Sequence, residues 1–303
     1  MFRVIDVNAE WALDDEPMGS KDKFWLGLPD DCLPWLFKYT RVNDGVETGE
    51  HWSEKLAAEI AGLLRVPHAR VELARFGECW GSLSRKFDAL EDEAVELVHG
   101  NELLAGALPD YDPYRRYGQN LHTLENILRA VKYGIQDNEH RLAEAYRLIG
   151  GYVVLDALVL NTDRHHENWA LFRRTRAGGE AEHWLAPSFD HASSLGRELQ
   201  RDALVAWQSD PLDRVTWYAN RGKGGVFRHA EGKKGANPLQ LAELAHRRWP
   251  DFIEPWLQRL GEVGLEQIVE PLDAVPQACM SEEHRWFVRG LLGYSRSRLM
   301  RLL

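Results

Sequence analysis

The chain has 303 residues, 44% of them hydrophobic, which is enough for one large or two modest lobes with cores of their own and excludes a disordered protein. Its formal net charge of −10, with no long basic run, argues against neutralising a duplex backbone, so no direct nucleic-acid partner is expected. Three scattered cysteines (Cys32, Cys79, Cys279) read as reduced thiols of a cytoplasmic protein; with no signal-peptide core at the N-terminus and no apolar run near the ~20 residues of a span, no membrane contact is expected.

From the N-terminus, residues 3–8 (RVIDVN) read as a strand, and 24–28 as a second. Between them lies the loop Pro17-Met18-Gly19-Ser20-Lys21-Asp22-Lys23. Gly19 would let backbone N–H groups come close to an anion, and Ser20 or Lys23 could reach its oxygens; a plain hairpin loop is the alternative. It is not a Walker A loop. Residues 34–39 (PWLFKY) form a compact apolar strand that carries one lysine, Lys38. A lysine on a buried strand requires an anion, because an unpaired buried ammonium is costly; a strand-end lysine facing water is the alternative. Residues 51–64 read as a helix with Leu56, Ile60, Leu63 and Leu64 on one face. It offers Glu54 and Glu59 as carboxylate partners for Lys38. Strands follow at 70–76 and 78–83, and Ser84-Arg85-Lys86-Phe87 connects them to the remainder.

Beyond residue 88 the pattern turns helical. Helices are expected at 91–104, 122–133 and 139–160, with a Tyr-rich loop at 108–120. The pair Gly150-Gly151 would bend the third helix or let a neighbour pack closely. That helix runs into a polar knot, Asn161-Thr162-Asp163-Arg164-His165-His166-Glu167-Asn168. An apolar run (169–172), a Gly-containing turn and a second apolar approach (184–189) then deliver Asp190. Residues 197–229 are polar and uneven, read as a surface, substrate or activation-type loop; helices return at 239–248, 251–262 and 282–303, the last expected to dock on the surface.

Asp163, Asn168 and Asp190 have the division of labour that phosphoryl transfer needs. ATP brings several negative charges, so Mg²⁺ must neutralise them, and Mg²⁺ takes hard oxygen ligands such as carboxylate and amide. Asn168 and Asp190 supply those. Asp163 stays clear of the metal to receive the hydroxyl proton. Arg164 reads as a structural ion pair that orders the loop, and Asp156 as a structural carboxylate of the preceding helix. A transition-metal cluster at His165-His166 with Asp163 and Glu167 is a weaker alternative, since adjacent histidines point apart.

The run Asp163-Arg164-His165-x-x-Asn168 followed by Pro187-x-Phe189-Asp190 resembles the catalytic and metal segments of HipA-like serine/threonine kinases. It is also similar to the loop of the phosphoinositide-kinase superfamily. The resemblance implies an α+β, bilobal protein-kinase-like fold: a small, mostly-β N-lobe with one helix (residues 1–87) and a larger, mostly-α C-lobe (88–303). It implies ATP and Mg²⁺ as substrate and cofactor, and hinge contacts to adenine along 84–87, with Ser84 and Phe87 at its ends. The phosphate loop would be that of Gly19, Ser20 and Lys23, with Ser20 as a candidate for autophosphorylation. Lys38 would be the phosphate lysine and Glu54, early in its helix, its partner. About fifteen residues precede the phosphate loop, which is similar to short HipT-like toxins that lack an extra N-terminal subdomain. The family implies an aminoacyl-tRNA synthetase as protein substrate and antitoxin proteins as partners. A small-molecule or lipid kinase, or a catalytically silent binding module of the same fold, are the other classes left open.

Overall fold

A computed structural model describes residues 1–14, 23–136, 138–210 and 212–303. The N-terminal part is a sheet built from β1 (Val4–Asp6), β2 (Ala12–Asp14), β3 (Lys23–Gly27) and β4 (Pro34–Tyr39), followed by a small hairpin of β5 (Val42–Asn43) and β6 (Val46–Glu47). Helix α1 (Glu50–Leu63) and strands β7 (Val71–Phe76) and β8 (Cys79–Arg85) complete it. The strand order is β1-β7-β8-β4-β3-β2, antiparallel except for the β1–β7 pair.

Strand periodicity sorts the side chains of β4. Trp35 and Phe37 are buried on one face with Leu26 and Leu83. Leu36 and Lys38 therefore point to the other face, where Ser84 and Ser82 of β8 lie opposite them and Lys23 of β3 lies opposite Lys38. Helix α1 is buried on nearly every side because it packs against β7 and β8 and also meets helices of the second part.

Residues 91–104, expected as one helix, divide instead into a 3-10 turn at Asp88–Glu91, strand β9 (Val95–His99) and helix α2 (Gly100–Ala107). The strand forms because β9 has a remote antiparallel partner, β10 (Ala170–Thr175), which pairs in turn with β11 (Ala181–Leu185). Tertiary pairing overrides local helical preference there.

The helical part holds α3 (Leu124–Ile135), α4 (Glu139–Val159), α5 (Arg201–Gln208), α6 (Arg214–Arg221), α7 (Pro238–Arg248), α8 (Pro250–Glu262), α9 (Leu265–Ala274) and α10 (Glu282–Met300). Helix α4 is the central post, and its glycine pair serves close packing. A Cβ on Gly150 would lie 1.9 Å from the Phe252 carbonyl oxygen of α8, and one on Gly151 would lie 2.7 Å from the Trp256 ring. The polar stretch 197–229 is not all loop: α5 and α6 dock on α10 through Leu204, Trp207, Ala219 and Tyr218. A few apolar side chains suffice to seat two-turn helices whose composition is otherwise polar. Helix α9 has no counterpart in the sequence reading. Helix α10 was expected at the surface, but Phe287, Val288, Leu291 and Leu292 place it in the main core. Among the described residues no helix is long and apolar enough to cross a membrane.

Candidate active site

A cleft of about 590 Å³ opens between the inner face of the sheet and the loop that follows α4. From the sheet it receives Lys23, Leu36, Lys38 and Ser84, and from the connection beyond β8 it receives Phe87. From the opposite wall come Asp163, Asn168 and Asp190. Seven of the ten residues assigned to the nucleotide, metal and base roles in the sequence thus line one cavity. Gly19 and Ser20 lie outside the described residues. Glu54 lies behind the cleft rather than in it.

Lys38 and Lys23 stand directly opposite each other on neighbouring strands. Like charges in that register destabilise a sheet unless an anion sits between or above them. Asp190 answers part of the need, with its Oδ1 3.3 Å from Lys38 Nζ. Burial works against the Lys38 ammonium, but Asp190 and Glu54 outweigh it and hold the group above its ordinary range. Lys23 is drawn below its ordinary range, first by burial and then by the charge of Lys38.

The expected Lys38–Glu54 pair is not a direct contact: Lys38 makes its ion pair with Asp190, and Glu54 acts on it through space. Glu54 is fully buried and accepts the His191 backbone N–H at 2.9 Å. Burial opposes its charge, yet His191 and Lys38 keep its carboxyl below the usual range. Its Oε2 has no hydrogen-bond partner among the described residues, which marks an oxygen able to take a cation. Glu59, the other candidate, is occupied on the far side by Lys55 at 2.7 Å.

The loop after α4 is shaped by side-chain hydrogen bonds. Leu160 ends the helix in the left-handed region at φ 52°, so the chain turns at once. Asn161 donates to Asp156 Oδ1 at 2.9 Å, and its own Oδ1 accepts the Asp163 N–H at 3.0 Å. Asn168 Nδ2 donates to the Asp163 carbonyl at 2.7 Å, so the amide oxygen of Asn168 is its remaining ligand atom. Arg164 is the clamp. Its guanidinium makes a two-pronged contact with Asp156 at 2.7 and 2.8 Å and also donates to the carbonyls of Asn168 and Phe189. One buried fork therefore ties the Asp163–Asn168 loop to the segment that presents Asp190. Asp190 itself sits at φ 58°, a left-handed conformation that Asp tolerates better than most residues and that is often held at functional sites.

The adjacent histidines do not converge. The His165 and His166 ring planes stand at 83°, and His166 Nδ1 meets the Tyr111 hydroxyl at 2.8 Å. Among the described residues no group of three or more His, Cys, Asp or Glu side chains could hold a metal ion, so the transition-metal reading is set aside. The imidazoles are neutral scaffolding. Burial pushes His122 down to about 4 and His165 down to about 3. His122 Nδ1 donates to the Gly225 carbonyl at 3.0 Å and its Nε2 accepts the Trp169 indole N–H at 3.2 Å, a pattern only the neutral ring satisfies.

A pH effect on stability follows. The unfolded His122 titrates near 6.5 and the folded one at about 4, so the unfolded chain binds the proton first. This contribution is complete above the unfolded value and is lost as pH falls from there towards the folded one. Between pH ~6.5 and ~5 the loss should be about 2 kcal/mol. Urea unfolding of wild type and His122→Gln, which keeps one donor and one acceptor without titrating, should show a flatter acid limb in the variant. Parallel limbs would remove His122 as a source.

Sequence reasoning did not find Arg116, which lies in the Tyr-rich loop, lines the cleft and forms an ion pair with Glu167. Nothing periodic surrounds it, and its partner is remote in sequence. Asp31, which fixes Arg85 beside the Ser84–Phe87 connection at 2.7 and 2.9 Å, was likewise not legible.

A family model described as the HipA-like C-terminal domain matches residues 16–233, most of the chain and the whole of this cleft. The chain belongs to the HipA-like family. No curated protein matches it by sequence. Among solved structures, this HipA-like chain is similar to the Helicobacter pylori proinflammatory kinase CtkA, with a TM-score of 0.77 and 20% identity, over 99% of this chain and 97% of that one. It is also similar to HipA of Shewanella oneidensis MR-1, solved in a complex with HipB and operator DNA. That match has a TM-score of 0.57 and 13% identity, covering 98% of this chain and 65% of the Shewanella chain. At these identities the likeness speaks for the fold, which is α+β, bilobal and kinase-like.

Proposed function

We propose that this HipA-like chain is a Mg²⁺- and ATP-dependent serine/threonine protein kinase of the toxin type. The observation that carries the reading is the cross-strand pair Lys23–Lys38 facing Asp163, Asn168 and Asp190 in a single cleft. Two opposed ammonium groups call for a polyanion, and the acidic wall opposite calls for a cation to accompany it. The residues fit Mg²⁺: the Asn168 amide is turned so that its oxygen remains for ligation, and Asp190 supplies a carboxylate. Mg²⁺ typically takes one or two protein oxygens and completes its shell with phosphates and water. When bound, it would neutralise charge on the phosphates being transferred.

The protein's own residues carry the rest. Phe87, Leu90, Leu97 and Phe189, which pack on one apolar cluster, give their end of the cleft an apolar character suited to a purine ring. Lys38 and Lys23 bind phosphate oxygens, and Glu54 stands behind Lys38 to hold its charge in place. Asp163 takes the proton from the acceptor hydroxyl as the new O–P bond forms and the bond from the γ-phosphorus to ADP breaks. Arg164 fixes the distance between Asp163, Asn168 and Asp190 without touching substrate. We divide the lobes after Phe87, and we place the protein in the cytoplasm, where its three free thiols would persist. A protein substrate, by family an aminoacyl-tRNA synthetase, and an antitoxin partner are proposed on the family alone.

Labelled ATP offered with Mg²⁺ to a cell-extract proteome and, separately, to sugar, inositol and lipid acceptors tests the class. Label on protein serine or threonine is expected. Label confined to a small molecule would replace protein phosphorylation by the phosphoinositide-like alternative.

A further inference from the structure

Glu167 stands one residue before Asn168 and has no part in the scheme above, yet its backbone is firmly held. Its N–H donates to His165 Nδ1 at 3.2 Å, and its carbonyl meets His99 Nδ1 at 3.0 Å. Its carboxylate pairs with Arg116, which reaches in from the loop between α2 and α3. That loop is itself anchored, by Asn101 Nδ2 on the Pro113 carbonyl at 3.3 Å and Gln119 Nε2 on the Asp112 carbonyl at 3.1 Å. Ion pairs on an open surface contribute little and need no explanation. This one differs, because both side chains line the same cleft as Asp163 and are only about one-third exposed (36% and 32%).

The cleft thus gathers cations from two walls. Lys23 and Lys38 come from the sheet, and Arg116 comes from the helical side; the charge of Arg116 is felt at Lys23 across the opening. With the purine at the apolar end, the end nearest Asp163 and Asn168 must hold the terminal phosphate. Arg116 reaches that end through Glu167, the residue next to Asn168. A guanidinium presents a planar fork that matches phosphate oxygens, which an ammonium cannot. We propose that Arg116 is a binding residue for the terminal phosphate, kept at the mouth of the cleft by Glu167 and engaging a nucleoside triphosphate but not a diphosphate.

This rests on the kinase reading, and the test separates the two. Calorimetry would compare Mg²⁺–ADP with the Mg²⁺ complex of the non-hydrolysable β,γ-imido analogue of ATP, on wild type, Arg116→Ala and Arg116→Lys. The alanine variant should lose about tenfold or more in affinity for the triphosphate, the size of a charge-assisted contact. Its affinity for ADP should change less than about twofold, and lysine should restore only part of the loss. An equal loss for both nucleotides would make Arg116 merely structural, and no loss for either would place it away from the ligand; each overturns the proposal while leaving the kinase reading intact. A wild-type protein that binds neither nucleotide would overturn both.

Discussion

Asp163→Asn should abolish phosphoryl transfer while leaving nucleotide binding nearly unchanged. The loop is held by the backbone of Asp163, whose N–H donates to Asn161 and whose carbonyl accepts from Asn168. The substitution leaves both of these backbone contacts available. What the substitution removes is the carboxylate proposed to accept the hydroxyl proton, a contribution of about 10²–10⁴-fold in rate. A single-turnover assay beside a calorimetric titration checks this. Turnover equal to wild type would take the base role from Asp163, and a parallel loss of binding would show the loop had collapsed.

Asp190→Asn should cost about as much or more, for a different reason. Asp190 is the ion-pair partner of Lys38 and, in the function proposed above, the carboxylate that would hold Mg²⁺. Its loss removes a hard anionic ligand, worth several kcal/mol of charge stabilisation at the transferred group, so transfer should fall at least about 10³-fold. It also leaves Glu54 as the main counter-charge of Lys38, so the ammonium should turn towards Glu54 Oε2, which has no hydrogen-bond partner among the described residues. A chemical-shift titration of the Lys38 side chain, resolved against Lys38→Met, would register the change of partner. An unchanged Lys38 signal would show that Asp190 is not its working partner.

The parts of this site that were legible in the sequence are those written in local spacing. Strand β4 was bounded correctly at both ends because a short apolar run of large residues, opened by Pro34 and carrying one lysine, reads as a strand without knowledge of its partner. That Asp163, Asn168 and Asp190 belong together was legible from their residue types and short spacing, and all three line one cleft. What was not legible depends on remote contacts. Strand β9 exists through β10, some seventy residues on, and the window over 91–104 opens on acidic and aliphatic residues compatible with a helix, with His99-Gly100-Asn101 the sole local sign of a break. Arg116 joins the cleft through Glu167, fifty-one residues away, with no period to announce it. The Lys38 partner was expected from the helix and found on the far wall, because a sequence shows which carboxylates are available but not which is nearer. Arg164, by contrast, was expected to form a structural ion pair, and its clamp on Asp156 has that form.

The central claim is that Asp190 and Asn168 make the cleft a site for metal-bound ATP. Isothermal titration of ATP with and without Mg²⁺, on wild type and on Asp190→Asn, tests it most directly. The account predicts binding to wild type that tightens at least about tenfold with Mg²⁺ and an increment that disappears in the variant. Binding indifferent to Mg²⁺ in the wild type, or an increment that survives in the variant, would contradict it.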